Sequence, residues 1–228
     1  MFRNFLLACS LFICFDCAAQ QLSQVAFTQA SEFAWFTLST NQNILVRISA
    51  TGTILEYGTE AVALNNRNTY APKLIPYSGT VGYFEHEPDS SLNGKIKNIG
   101  SCFFTWYGAK DFPEKAGKLK SAGPVTFDYY RQYEDPLNAG KLKMIGTNAI
   151  SFYRSTDNDA YKGKLKAAGS SVISYYSSFD NVQLKGKLKS IGSYALPWST
   201  TSSGGQFVSY LKTGNTRVLI NGILFILQ

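Results

Sequence analysis

One polar–apolar pattern runs along the chain from Gly94 to Trp198. The stretch GKIKNIG (94–100) returns as GKLKSAG (117–123), GKLKMIG (140–146), GKLKAAG (163–169) and GKLKSIG (186–192), each copy 23 residues after the last. We number each copy from its first glycine as position 0. Position 2 is then Ile96, Leu119, Leu142, Leu165 or Leu188, and it stands between two lysines. Position 10 is Phe104, Phe127, Ile150, Ile173 or Leu196, and position 12 is the ring of Trp106, Tyr129, Phe152, Tyr175 or Trp198. Lys-Leu-Lys and the apolar–polar–apolar run at 10–12 both alternate with period two. Each copy therefore predicts two strands joined as a hairpin. Degenerate copies flank the array. Tyr83 and Phe84 fall at positions 12 and 13 counted from residue 71, and Leu211 and Lys212 at positions 2 and 3 counted from residue 209.

Parity sets an expected register. Directly opposed residues of an antiparallel pair share a face. A three-residue loop at positions 6–8 opposes Leu at 2 to the ring at 12, Lys at 3 to the residue at 11, and Lys at 1 to the tyrosine at 13. That arrangement sorts apolar from polar. Position 5 (Ile99, Ala122, Ile145, Ala168, Ile191) then falls on the lysine face, unless a bulge before the next glycine turns it inward. A parallel β-helix with one copy per coil would stack equivalent lysines about 4.8 Å apart, whereas a meander sets them about 9.6 Å apart. The wider spacing exceeds the Debye length of roughly 8 Å, so repulsion between lysines favours the meander.

The predicted fold is all-β: an extended antiparallel meander of 23-residue hairpins with distinct N- and C-terminal caps. Residues 1–19 read as a signal peptide, 20–70 as an N-terminal cap, 71–198 as the repeats, and 199–228 as a loop and capping hairpin. In the first cap, Ile44–Ser49 and Thr53–Tyr57 flank Ala-Thr-Gly, a hairpin signal, and Ser23–Thr37 is apolar enough to cover an open sheet edge. Ser199–Gly205 reads as a flexible loop. Val218–Phe225 places Asn221-Gly222 between apolar strands, a strong hairpin signal.

Composition adds a compartment. Arg3, the apolar run Leu6–Phe15 and the small residues Cys17-Ala18-Ala19 describe a leader cleaved before Gln20. Leu6-Leu7-Ala8-Cys9 is the competing lipobox reading, which would put a lipid on Cys9. The expected location is exported: periplasmic, cell-surface or extracellular. No second apolar stretch in the mature chain is long enough to span a bilayer as a helix. Of four cysteines only Cys102 lies beyond the leader, so no internal disulfide is expected, and Cys102 reads as a small buried hydrophobe.

The formal charge of +7 is local. Past the leader there are 21 Lys+Arg (22 less Arg3) and 14 Asp+Glu (15 less Asp16). Ten of the cations are the repeat lysines, which leaves 11 − 14 = −3 elsewhere. Lys95, Lys97, Lys118, Lys120, Lys141, Lys143, Lys164, Lys166, Lys187 and Lys189 are thus expected on one wet face, interleaved with Tyr107, Tyr130, Tyr153 and Tyr176 at position 13. Alternating cations and rings suit an anionic polymer: acidic polysaccharide, lipid head groups or nucleic acid. A protein partner fits as well. The plainer reading is that the lysines keep a long sheet soluble.

Other chemistry is thin. His86 sits between Glu85 and Glu87 without a convergent ligand set. Asp157-Asn158-Asp159 lacks the later glutamate of a calcium loop and reads as turn chemistry. No catalytic motif is present and no cofactor is implied. The leader followed by GKLKxIG…YY copies resembles an uncharacterised family of secreted bacterial repeat proteins across residues 23–228, a resemblance that implies no activity. The period is similar to that of MORN repeats, without their glycine and tryptophan pattern. The expectation is an exported, non-catalytic structural or binding module. The alternative is a periplasmic or extracellular enzyme whose site no motif reveals.

Overall fold

The computed structural model describes residues 21–40, 42–60, 73–203, 206–213 and 216–227. The expected leader, Cys9 and the Gly204-Gly205 part of the expected loop lie outside the described residues.

Strands β1 (Gln21–Phe27), β2 (Phe33–Ser39), β3 (Leu45–Ile48), β4 (Ile54–Thr59) and β5 (Ile75–Pro76) open the chain. The repeats follow: β6 (Val81–Tyr83), β7 (Ile96–Ile99), β8 (Cys102–Trp106), β9 (Leu119–Ala122), β10 (Val125–Tyr129), β11 (Leu142–Ile145), β12 (Asn148–Phe152), β13 (Leu165–Ala168), β14 (Ser171–Tyr175), β15 (Leu188–Ile191) and β16 (Tyr194–Ala195). Then come β17 (Trp198–Ser203), β18 (Gln206–Leu211), β19 (Thr216–Ile220) and β20 (Ile223–Leu227). Strands β6 to β16 form an 11-stranded antiparallel sheet in unbroken sequence order, the predicted meander.

The register differs from the expected one in an instructive way. Within a hairpin, position 5 faces 8 and position 4 faces 9, as in Ala122↔Val125 and Ser121↔Thr126. The turn has two residues, positions 6 and 7, not three. Its glycine holds φ between 53° (Gly192) and 58° (Gly146), a positive angle at the first turn residue alone. That is a type II′ turn, which matches the right-handed twist of its strands. The second place needs no positive φ and accepts Pro124.

The Leu–ring pair exists, but it joins neighbouring copies. Leu119 faces Trp106, Leu142 faces Tyr129, Leu165 faces Phe152 and Leu188 faces Tyr175. A bulge accompanies every one of these pairs and leaves the lysine at position 3 without a partner. The bulge therefore sits at position 3, three residues before the turn glycine. The extra residue shifts parity, so positions 2 and 5 both point inward: Leu142, Ile145, Leu165 and Ala168 are fully buried. The pair recurs in both degenerate copies, Tyr83 facing Ile96 with the bulge and Trp198 facing Leu211 without it.

The two ends of the chain do not cap the edges of the meander. They join as a second sheet in the order β19-β20-β1-β2-β3-β4-β5, with β1 and β20 parallel (Gln24↔Leu224 through Phe27↔Leu227). Its side chains Val25, Phe36, Val46, Ile48 and Phe225 share one core with Phe104, Leu142, Ile173 and Ile191 of the meander. The second sheet is thus a roof over the apolar face, since a one-layer sheet would leave that face in water. The predicted hairpins at Ala50-Thr51-Gly52 and Asn221-Gly222 both form. The expected loop after Trp198 is a correction: Ser199–Ser203 is strand, paired with β18.

The roof curls. Arg217 of β19 forms an ion pair with Glu60, the residue after β4, at 3.1 Å. Four strands separate β19 from β4, about 24 Å in a flat sheet. Curling makes the far face concave and accounts for Ala26, Thr37, Arg47 and Ile226 being buried there. The Arg47 guanidinium pairs with Glu56 and lies 4.4 Å over Trp35.

Candidate binding surface

The bulge that turns position 5 inward also splits the lysines. They do not share one wet face. Position 1 supplies an inner column of half-buried side chains: Lys95, Lys118, Lys141, Lys164 and Lys187. Position 3 supplies an outer column, Lys97, Lys120, Lys143, Lys166 and Lys189, all exposed except the half-buried Lys143.

Each inner ammonium lies over the position-12 ring of its own copy: Lys95 over Trp106 at 5.0 Å, Lys118 over Tyr129 at 5.1 Å, Lys141 over Phe152 at 4.7 Å, Lys164 over Tyr175 at 5.3 Å and Lys187 over Trp198 at 5.1 Å. The next copy supplies an acceptor. Lys118 donates to the Gly140 carbonyl, Lys141 to that of Gly163 at 2.8 Å and Lys164 to that of Gly186 at 3.0 Å. Lys164 also pairs with Glu32 of the roof at 2.6 Å, and Lys187 reaches the Gln29 carbonyl at 3.2 Å. Burial pushes the Lys118, Lys141 and Lys187 ammoniums below the usual lysine range. These lysines tie repeat to repeat and repeat to roof.

Outer ammoniums lie over the position-13 ring of the preceding copy: Lys120 over Tyr107 at 5.5 Å, Lys143 over Tyr130 at 5.8 Å, Lys166 over Tyr153 at 5.3 Å and Lys189 over Tyr176 at 5.3 Å. Lys97 takes Phe84 of the degenerate copy, at 5.8 Å. The rings are fixed from below. Tyr107, Tyr130 and Tyr153 donate their hydroxyls to the carbonyls of Phe127, Ile150 and Ile173, one copy further on. Burial raises all three phenols above the ordinary range.

Position 17 is acidic in four copies. Its acids cap the loop after each hairpin: Asp111, Glu134, Asp157 and Asp180 accept from the backbone N–H three residues before. Two of them also neutralise outer lysines, Glu134 with Lys143 and Asp180 with Lys189 at 3.3 Å. Among the described residues, Lys97, Lys120 and Lys166 form no ion pair. The 23-residue recurrence of these acids is visible in the sequence, whereas their target, the loop amide, is visible only in the fold.

The remaining candidates are placed as follows. Cys102 is buried in the core. His86 is exposed in a loop, and no group of three metal-ligating side chains occurs among the described residues. Asn158 accepts from Ala160 and Ser178, and Asp159 pairs with Lys162, so this segment is occupied with turn contacts. No helix among the described residues is long and apolar enough to cross a membrane. Comparisons with protein-family models, curated proteins and solved structures returned no match.

Proposed function

We propose that this chain is an exported, non-catalytic repeat protein of the secreted bacterial kind its sequence resembles, and that its outer column presents charge to an anionic polymer or surface. The observation that carries the reading is the contrast between the columns. Four of the five inner ammoniums spend hydrogen bonds on carbonyls, while Lys97, Lys120 and Lys166 stand exposed over aromatic rings. Equivalent outer lysines recur about 9.6 Å apart, one every second strand. A flexible anionic chain meets such a row through many weak contacts, each releasing counterions.

The test is binding of the purified protein to dextran sulfate, anionic vesicles and single-stranded DNA at two salt concentrations. Binding should fall steeply with salt. Lys97→Gln, Lys120→Gln and Lys166→Gln should each weaken it slightly and together nearly abolish it. The arm that binds names the polymer class. Absence of binding in every arm at low salt would leave the outer column a solubility device.

A further inference from the structure

The inner column carries its own control, because each rung repeats the last. Lys118, Lys141, Lys164 and Lys187 each donate to a backbone carbonyl. Lys95 does not: among the described residues its ammonium makes no hydrogen bond or ion pair, and it lies 5.0 Å over the Trp106 ring. The roof supplies the reason. Its Ala50-Thr51-Gly52 turn is seated over the Tyr129–Leu142 pair. The Ala50 carbonyl accepts from the Leu142 N–H at 2.7 Å. A Cβ placed on Gly52 would come within 2.1 Å of the Tyr129 hydroxyl oxygen. Next to this contact the first rung stays open. The result is a cleft of about 250 Å³ lined by Thr51, Thr53, Lys95, Trp106 and Lys118, with Gly94 and Gly117 at its rim. No carboxylate lines it. The floor is rigid, since the Trp106 indole N–H donates to the Ile96 carbonyl at 2.8 Å.

We infer that this cleft is a site for one acidic sugar residue, a pyranose bearing a carboxylate. The unengaged Lys95 ammonium, with Lys118 beside it, supplies the charge-assisted donor a carboxylate takes. Swung off the Trp106 ring to meet the carboxylate, Lys95 leaves the half-buried indole to the apolar face of the sugar, and the two threonines meet its polar rim. A bare phosphate would use the Lys95 ammonium and leave the ring idle. The cleft is sized for a single ring, below the several hundred Å³ of a larger ligand site. It lies on the opposite side of the strand from the outer lysines and is independent of polymer binding there.

The experiment titrates the purified full chain with trigalacturonate, with neutral maltotriose and with inorganic phosphate, reading tryptophan fluorescence and heat. Saturable binding of trigalacturonate is expected, with little from the other two. Lys95→Gln should weaken it about tenfold, the loss of one charge-assisted hydrogen bond. Lys95→Arg should retain most of it. Lys187→Gln at the far end of the inner column should leave it unchanged, and Lys166→Gln on the outer face should weaken it far less than Lys95→Gln does. Circular dichroism melts of each variant separate binding from folding. Equal binding of maltotriose, or phosphate binding as tight as trigalacturonate, would overturn acidic-sugar recognition. A loss in Lys166→Gln as large as in Lys95→Gln would move the anion to the outer column, removing this site while sustaining the polymer reading. No heat and no fluorescence change with trigalacturonate would remove this site and leave the polymer reading to its own test.

Discussion

Lys141 and Lys143 are two residues apart on the same strand edge, and they live in different solvents. Lys141 donates to Asn138 and to the Gly163 carbonyl, both at 2.8 Å, and burial pushes its pKa down. Lys143 meets Glu134, and that hydrogen bond pushes its pKa up. Neither difference is written in the residue. The bulge puts one side chain beside the roof and the other beyond the sheet. Lysine is thus a cross-link in the first place and a tethered charge in the second, which a count of basic residues merges into one number.

The comparison extends to the rings beneath, and the largest expected effect lies there. Tyr129 and Tyr175, under inner lysines, are pushed far above the ordinary phenol range, chiefly by desolvation. Groups whose folded pKa is raised lend stability that is whole below their unfolded value and is lost as pH climbs past it. Stability should therefore hold to about pH 10 and then fall as pH rises, by about 1.4 kcal/mol per pH unit for each phenol that ionises in the unfolded chain and stays protonated in the folded one. Denaturant titrations across that range test it, and Tyr129→Phe should flatten the slope. An unchanged slope would place the alkaline loss elsewhere.

Leu142, between the two lysines, comes next. It is fully buried against Tyr129, and Leu142→Ala should cost about 2–5 kcal/mol in urea melts. The columns themselves then separate. Lys141→Ala strands the Gly163 carbonyl and uncovers Phe152, and should cost about 1–3 kcal/mol. Lys166→Ala, exposed over Tyr153, should stay within about 0.5 kcal/mol. Equal costs for Lys141→Ala and Lys166→Ala would abolish the distinction on which the binding surface rests.

The meander was legible in the sequence because period and parity are local. Leu142 facing a position-12 ring was legible too, but not which ring. In a tandem array, the strands on either side of Leu142 offer the same residue types, so face-sorting alone cannot tell Phe152 of its own copy from Tyr129 of the copy before. Gly146 as the first residue of a two-residue turn would have decided it, since that turn shifts the in-copy register by one. The division of the lysines followed from the bulge at position 3, which composition does not announce. The roof was hidden for another reason. Its seam pairs Gln24 with Leu224, and neither neighbourhood carries a repeat to betray the other.

That seam has a consequence in time. Each turn of the meander closes a short loop, so the repeats can assemble in the order they are made. The roof cannot close in that order, because its interior strand β1, which pairs with β2 on one side, waits on the other for β20, some two hundred positions later. Until β20 arrives the roof is incomplete, and part of the apolar face that carries Leu142, Ile145, Leu165 and their equivalents lacks its cover, the partly built condition that invites sticking. Strand β1 is thus paired early on one side and completed late on the other.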